Sequence, residues 1–123
     1  MTSWSEIKRM AATDVPFSAI PAGTELVSVV GVSFVPEYPK NILSLVNADM
    51  VHLVRNPDNQ YDQNAIEVRS GDQLLGHIPK DIAARLAPRM DAGTSYVAAV
   101  HHVRISPENP NNPGLDIVVG EWA

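Results

Sequence analysis

The chain is organised around one segment, Arg55-Asn56-Pro57-Asp58-Asn59-Gln60-Tyr61-Asp62-Gln63-Asn64-Ala65-Ile66-Glu67-Val68. An apolar run, Met50 to Val54, precedes it, and its last residues alternate between apolar and polar, which is the period of a half-buried strand. The residues in between are almost all turn formers, and Pro57 disfavours a helix because its ring fixes φ and removes a backbone donor. The segment therefore predicts two strands joined by a structured loop.

This loop carries one aromatic residue, Tyr61, among short polar side chains. The polar residues are Asn56, Asp58, Asn59, Asp62 and Asn64. Asn and Asp side chains commonly bond nearby backbone groups and hold a loop in one shape. Alternatively, one or two of them project outward as hydrogen-bond acceptors, and the sequence leaves both interpretations open. We expect Tyr61 either to cover the end of the domain's core or to face a ligand.

Apolar and alternating runs along the chain predict six short strands. They span residues 26–35, 50–54, 64–69, 74–78, 96–105 and 115–119. The first run is apolar on both faces, which is typical of a central strand, and Gly31 within it indicates a bulge or a close backbone contact. We expect a tight hairpin turn at 70–73 and a long polar loop at 107–114.

One main helix is predicted between the fourth and fifth strands. Pro79 opens it at a position where a missing N–H costs little. Its apolar line is formed by Ile82, Leu86 and Met90. Pro88 is expected to break or kink this helix, and Gly93 is expected to end it. The predicted fold class is therefore mainly β, a small closed six-stranded barrel with one main helix.

The first 22 residues are predicted to form an N-terminal extension before a barrel domain at 23–123. Several residues there have helical spacing, namely Trp4, Ile7 and Met10 or Ala11. A short helix docked on the domain and a disordered tail both fit this pattern. A further helical turn is expected at 42–46.

Composition narrows the classes of function. A chain of 123 residues is long enough for one domain with a real core, and the absence of cysteine excludes disulfides and thiol catalysis. The net charge of −5 argues against coating nucleic acid by bulk electrostatics. Residues 50–104, however, hold six basic and six acidic side chains, so a local basic face is possible. The absence of a signal or membrane-spanning stretch favours a soluble cytoplasmic protein.

Two further motifs follow the loop: Gly76-His77-Ile78-Pro79-Lys80 and Leu86-Ala87-Pro88-Arg89-Met90-Asp91-Ala92-Gly93. Together with Tyr61-Asp62-Gln63-Asn64-Ala65-Ile66 they resemble the HIRAN domain, over about residues 26–119. That module occurs at the N-terminus of helicase-like transcription factor and related remodelling ATPases, and alone in bacteria. The combination of the Tyr-Asp-x-Asn-Ala-Ile and Gly-x-Ile-Pro motifs is fairly specific, whereas either motif alone is weak.

The resemblance implies a modified OB-like barrel that captures the free 3′-hydroxyl end of single-stranded DNA during repair or processing. Asp62 would accept a hydrogen bond from the terminal hydroxyl, and a carboxylate is a strong acceptor. The other site residues that it implies are Asn59 and Tyr61 beside that carboxylate, Ser33 and Phe34 on the first strand, and His77 and Lys80 near the phosphates. It implies no cofactor; its partners would be single-stranded DNA ends and a helicase, nuclease or other DNA-processing protein.

A protein-interaction or adaptor module with the same barrel is the alternative. Ser33 and Val35 stand where the human-type member has an arginine and a second aromatic, which removes a cation and a stacking face. The net charge of −5 also fits this alternative. This alternative predicts a surface patch that binds a partner protein around Phe34, Tyr38 and Trp122.

An enzymatic function is not predicted. Asp58, Asp62 and His77 could be imagined as a metal-dependent nuclease site, but the carboxylates lie on a turn-rich loop without a nucleophile and an oriented base. His101 and His102 are neighbours on a strand and point in opposite directions, so they do not form a paired metal site. We therefore predict a binding module without a metal.

Overall fold

The computed structural model describes residues 3–12, 23–31 and 37–122 of the chain. The elements formed there are α1 Trp4–Ala12, β1 Thr24–Ser28, α2 Glu37–Leu43, β2 Met50–Arg55, β3 Ile66–Ser70, β4 Gln73–His77, α3 Lys80–Asp91, β5 Tyr96–Ser106 and β6 Asn109–Glu121. The predicted class, mainly β with one main helix, is confirmed.

All six strands belong to one antiparallel sheet in the order β1-β6-β5-β2-β3-β4. The sheet curls into a half-barrel, and a single bridge between Val30, which follows β1, and His77 of β4 links its two edges. This arrangement matches the OB-like barrel that the resemblance implied.

The barrel interior is filled by the apolar faces of the strands and of α3. The strands contribute the buried side chains of Val27, Val51, Ile66, Val68, Leu75, Val100, Leu115 and Ile117. From α3, Ala83, Leu86 and Ala87 pack against them, and Ile82 and Met90 are partly buried there. Each fully buried Val, Leu or Ile contributes about 1.5–3 kcal/mol relative to an exposed one. This packing fixes the axis of α3 and hence the place where the helix begins.

The main helix forms as predicted, but Pro88 does not break it, because α3 continues to Asp91. Pro88 has no N–H to donate to the carbonyl of Ala84, four residues earlier in the helix. Ala84 and Pro88 are both exposed. Water can therefore bond the free carbonyl. Pro79 occupies the N-cap position rather than the first helical one. Gly93, with a φ of 107°, ends the helix as expected.

The predicted polar loop at 107–114 is wrong. The turn is confined to residues 107 and 108, and β6 begins directly after it. β6 pairs with β5, Arg104 of β5 faces Gly114 of β6, and the register of the pairing shifts between Arg104 and Ser106. Such an irregularity allows a ladder to continue past prolines, which lack the N–H that regular pairing needs. Composition alone therefore indicated a loop where tertiary pairing forms a strand.

The first strand is shorter than predicted, because β1 ends at Ser28. The N–H of Val29 donates to a carbonyl of β6 at 2.8 Å, whereas the next residue, Val30, pairs with β4. Gly31 then has a φ of 74°, which a glycine adopts without strain and which agrees with the predicted backbone irregularity. The rest of the predicted strand, 32–35, lies outside the described residues.

The other boundaries differ from the predictions by a few residues. β2 ends at Arg55, and β3 begins at Ile66 because Asn64 is still part of a turn. The hairpin turn before β4 is confirmed, with Gly71 at a φ of 59°. The helical turn predicted at 42–46 lies earlier, since α2 ends at Leu43.

The N-terminal extension contains the docked helix that was one of the two alternatives. Ile7, Met10 and Ala11 of α1 are buried against Ala99 and Val118 on the outer face of β5 and β6. The amide of Asn47 donates to the carbonyls of Ala11 at 2.7 Å and of His101 at 2.6 Å, which ties the end of α1 to the sheet. The division of the chain at residue 22 stays a prediction.

Candidate nucleic-acid interface

A cleft lies where the loop between β2 and β3 meets the end of β4 and the start of α3. Its volume is about 770 Å³, and most of its surface is apolar. The described residues that line it are Val30, Gly31, Asn59, Tyr61, Asp62, Ala65, His77, Ile78 and Lys80. These residues come from separate segments of the chain, and the closing of the barrel brings them together.

The loop between β2 and β3 is held in shape by its own polar groups. Asn59 Oδ1 accepts hydrogen bonds from the N–H groups of Tyr61 at 2.9 Å and Asp62 at 3.1 Å. Asp62 Oδ1 accepts one from the N–H of Asn64 at 2.9 Å, and the N–H of Ala65 donates to the Asp62 carbonyl at 3.1 Å. The side-chain oxygen of Asn59 is therefore directed at the backbone.

Asp62 keeps one carboxylate oxygen available. Its Oδ1 caps the loop, whereas Oδ2 has no hydrogen-bond partner within the described ranges. The side chain is half-buried and lines the cleft. Because a carboxylate offers about four lone-pair sites, Asp62 can hold the loop through Oδ1 and still accept a hydrogen bond through Oδ2.

Tyr61 does not cover the core of the barrel, since its side chain is 83% exposed. Its ring nevertheless borders the cleft. An exposed aromatic face beside an apolar cleft is suited to stacking on a flat ligand such as a nucleobase. Of the two roles that the sequence left open for Tyr61, the structure excludes covering the core.

The opposite wall is formed by the end of β4 and the beginning of α3. His77 is half-buried, and its backbone is fixed by the pairing with Val30. Ile78 is buried, and its N–H donates to the carbonyl of Ile66 at 3.0 Å. Lys80 is exposed in the first turn of α3, where the helix carries a partial positive charge.

Most arginines of the described chain are neutralised by carboxylates of the same chain. The pairs are Arg55–Asp91, Arg69–Glu67, Arg85–Glu25, Arg89–Glu121 and Arg104–Asp116, with distances of 2.8–3.0 Å. Lys80 has no such ion pair within the part of the chain that the structure describes. It is therefore the cation that the cleft can present to an anionic ligand.

Arg55 is a residue that the sequence analysis did not single out. Its Nη1 donates to the carbonyl of Ala65 at 2.8 Å, and its Nη2 donates to that of Gln63 at 3.0 Å. Nε and Nη2 also donate to the two carboxylate oxygens of Asp91, at 3.0 and 3.1 Å. The hydrogen bond to Asp91 raises the pKa of Arg55, the nearby charge of Asp62 adds to this effect, and the same bond lowers the pKa of Asp91.

Five of the predicted site residues line this cleft, namely Asn59, Tyr61, Asp62, His77 and Lys80. Ser33 and Phe34 lie outside the described residues. The sequence analysis missed the lining residues Val30, Gly31, Ala65 and Ile78. Ala65 and Ile78 belong to the two motifs quoted above, but apolar side chains in a motif give no signal that separates a cleft wall from a core.

Within 3–12, 23–31 and 37–122, no cluster of three or more His, Asp or Glu side chains is arranged to hold a metal ion. Over the same ranges, no helix is long and apolar enough to cross a membrane.

The HIRAN domain family model matches residues 23–122. The chain therefore belongs to the HIRAN domain family, as the motifs around Tyr61 and His77 indicated. HIRAN is a binding domain and is not catalytic by itself.

Two curated relatives are similar to a part of the chain. The Fanconi-associated nuclease 1 homolog of Arabidopsis thaliana is 50% identical over 42 residues, which cover 33% of this chain and 5% of the relative. Helicase-like transcription factor of Mus musculus is 46% identical over 56 residues, which cover 44% of this chain and 6% of the relative. The chain thus matches a small part of each of these large proteins.

Two solved structures share the fold over most of their length. A protein from Lactobacillus plantarum has a TM-score of 0.64 at 27% identity, covering 80% of this chain and 93% of that one. The HIRAN domain of HLTF, solved in its DNA-bound conformation, has a TM-score of 0.54 at 29% identity, covering 83% of this chain and 76% of that one.

Proposed function

We propose that this protein binds the 3′-hydroxyl end of single-stranded DNA in the cleft between the β2–β3 loop and α3. The observation that carries the proposal is the position of Asp62, which lines the cleft together with the exposed Tyr61 and whose second carboxylate oxygen has no hydrogen-bond partner within the described chain. The DNA-bound conformation of a similar HIRAN domain supports a DNA ligand.

A carboxylate distinguishes two kinds of strand end. A free 3′-hydroxyl donates a hydrogen bond, and a hydrogen bond to a charged acceptor is stronger than one between neutral groups. A 3′-phosphate has no comparable donor and is repelled by the charge of Asp62. The site would therefore prefer an unmodified 3′ end.

The neighbours of Asp62 would bind the rest of the terminal nucleotides. Stacking of a base on an aromatic ring such as that of Tyr61 contributes about 1–3 kcal/mol and is tolerant of sequence. Lys80 provides a positive charge at the start of a helix, where anions are already favoured. His77 lies on the same wall as Lys80.

Fluorescence anisotropy with a short labelled single strand at low salt tests this proposal. The strands to compare carry a 3′-hydroxyl or a 3′-phosphate, and a blunt duplex serves as the third ligand. We expect the 3′-hydroxyl strand to bind much more tightly than the 3′-phosphate strand and the blunt duplex. Equal affinity for the hydroxyl and phosphate ends would refute the assignment of Asp62.

The second candidate function is a protein-interaction module. It is favoured by the internal pairing of five arginines, which leaves little unneutralised positive charge for a nucleic acid. Of its predicted patch, Trp122 is exposed, whereas Phe34 and the side chain of Tyr38 lie outside the described part of the chain. Absence of binding to all three DNA ligands would favour this function.

In either case the protein would act by binding and not by catalysis, without a cofactor. Its partners would include a helicase, a nuclease or another DNA-processing protein, since the relatives that carry similar segments have such names. A role in DNA repair or processing, and a cytoplasmic location, are parts of the same proposal.

A further inference from the structure

Arg55 lies next to the loop that forms one wall of the cleft. It is the last residue of β2 and faces Ile66, the first residue of β3, so it sits where the two ends of the loop meet. Its side chain is only 14% exposed, and it does not line the cleft. A phosphate-binding role for Arg55 is therefore disfavoured, since its guanidinium is already engaged within the chain.

The guanidinium supports the turn that carries Asp62. It donates to the carbonyls of Gln63 at 3.0 Å and Ala65 at 2.8 Å. The N–H of Ala65 in turn donates to the carbonyl of Asp62, and the Asp62 carboxylate caps the N–H of Asn64. The segment from Asp62 to Ala65 is thus one hydrogen-bonded turn fixed to Arg55 at two points.

The same guanidinium fixes this turn to α3. Its Nε and Nη2 bond both carboxylate oxygens of Asp91, the last residue of the helix, in the fork geometry that arginine forms with a carboxylate. Lys80 is the first residue of that helix. The hydrogen bonds of Arg55 to the turn and to Asp91 together form a clamp between the turn and α3. Because α3 is packed rigidly against the barrel core, this clamp sets the position of Asp62 relative to Lys80.

We infer that Arg55 is the positioning residue of the cleft, and that it sets the preference for a free 3′-hydroxyl by holding the turn of Asp62 against α3. This inference rests on the proposed function and adds a residue that does not touch the ligand. Lysine cannot substitute for arginine here, because a single ammonium cannot bond two carbonyls and both oxygens of a carboxylate in one plane.

The test compares Arg55→Lys with Arg85→Lys. Both variants keep the charge and alter an arginine that pairs with a carboxylate, but Arg85 pairs with Glu25 away from the cleft. For each variant, anisotropy gives the ratio of affinities for 3′-hydroxyl and 3′-phosphate strands. Amide NMR signals of the DNA-free protein report the turn itself, through the N–H groups of Asp62 and Asn64.

We expect Arg55→Lys to lower the affinity ratio roughly tenfold, the order that a hydrogen bond to a charged group supports. It should also shift the amide signals of the turn, and Arg85→Lys should change neither quantity. An unchanged ratio and unchanged signals in Arg55→Lys would overturn the inference. If Arg55→Lys does not fold, the milder Asp91→Asn, at the exposed end of the same clamp, should show a smaller change in both quantities.

The two proposals can fail separately. If the wild-type protein shows no preference for the hydroxyl end, the proposed function is wrong, and the amide signals of the DNA-free variants still decide whether Arg55 positions the turn. If the wild-type preference is present and Arg55→Lys retains it, the proposed function stands and the role of Arg55 is refuted.

Discussion

Val30 and His77 exchange both of their backbone hydrogen bonds, each 2.8 Å long, and so join the segment after β1 to β4. The preceding residue, Val29, donates to β6 instead, so consecutive residues of the segment that extends β1 bond β6, the neighbour of β1, and β4, the opposite edge of the sheet. Val30 and His77 both line the cleft. The closure of the barrel and the formation of the cleft therefore depend on the same contact.

Gly31 follows this contact in a left-handed conformation, which leads to a prediction for Gly31→Ala. A non-glycine residue at its φ of 74° costs about 1–2 kcal/mol, so the free energy of unfolding should fall by that amount. Because Gly31 lines the cleft, DNA affinity should fall as well. Urea denaturation and anisotropy measure the two effects.

The matched control for that variant is Gly71→Ala in the hairpin turn. Gly71 has a φ of 59° and open space where a Cβ would lie. The Gly71→Ala variant should lose about as much unfolding free energy as Gly31→Ala and keep the DNA affinity of the wild type. Equal loss of affinity in both variants would show that general destabilisation, and not the cleft, is responsible.

Asp62→Asn should weaken binding to a 3′-hydroxyl strand about tenfold, because a charged acceptor is replaced by a neutral one. Asparagine retains a side-chain oxygen that can still cap the N–H of Asn64, so the loop should keep its shape. Affinity for a 3′-phosphate strand should fall less or rise. Asp58→Asn, an exposed position on the same loop that does not line the cleft, is the control and should bind like the wild type.

Lys80→Gln should reduce the salt dependence of DNA binding. Each phosphate contact on a single strand contributes about −0.7 to the slope of log affinity against log salt concentration. We expect the slope to become less negative by about that amount, measured by anisotropy between low and moderate salt. The control Lys8→Gln removes the same charge on the exposed face of α1. An equal change of the salt slope in Lys8→Gln would contradict a contact between Lys80 and a phosphate.

Ile7→Ala should detach or loosen α1. Ile7 is fully buried between α1 and the sheet, and truncating a buried isoleucine costs about 2–5 kcal/mol of unfolding free energy. DNA affinity should not change, since none of the residues that pack around Ile7 lines the cleft. Lys8→Ala, at an exposed neighbouring position, should leave stability within about 0.5 kcal/mol of the wild type.

Tyr96→Phe should stabilise the protein at neutral pH by about 1 kcal/mol, because it removes a buried hydroxyl that has no hydrogen-bond partner in the described chain. Burial raises the pKa of Tyr96 above its usual value of 10.0. The unfolded chain therefore loses this proton first as the pH rises above that value, and wild-type stability should fall there. Denaturation curves from pH 8 to 11 should show a smaller fall for Tyr96→Phe; an identical fall would exclude Tyr96 as the cause.

The motifs of the sequence predicted a large part of the candidate site. The resemblance of these motifs to the HIRAN domain implied the Tyr-Asp dipeptide, His77 and Lys80 as site residues, and these residues line one cleft. Arg55 was missed because a lone arginine at the end of a strand is usually a solvated charge. Its role depends on Asp91, which is 36 residues away in the chain.

Local sequence determined the barrel class, the hairpin at Gly71 and the end of α3 at Gly93, because hydrophobic period and turn chemistry act over a few residues. Tertiary structure alone decided the extent of β6, the uninterrupted helix at Pro88 and the joining of Val30 to His77. Those features arise from hydrogen bonds and packing between residues far apart in the chain, and such contacts can override the local preferences of proline and of an apolar run.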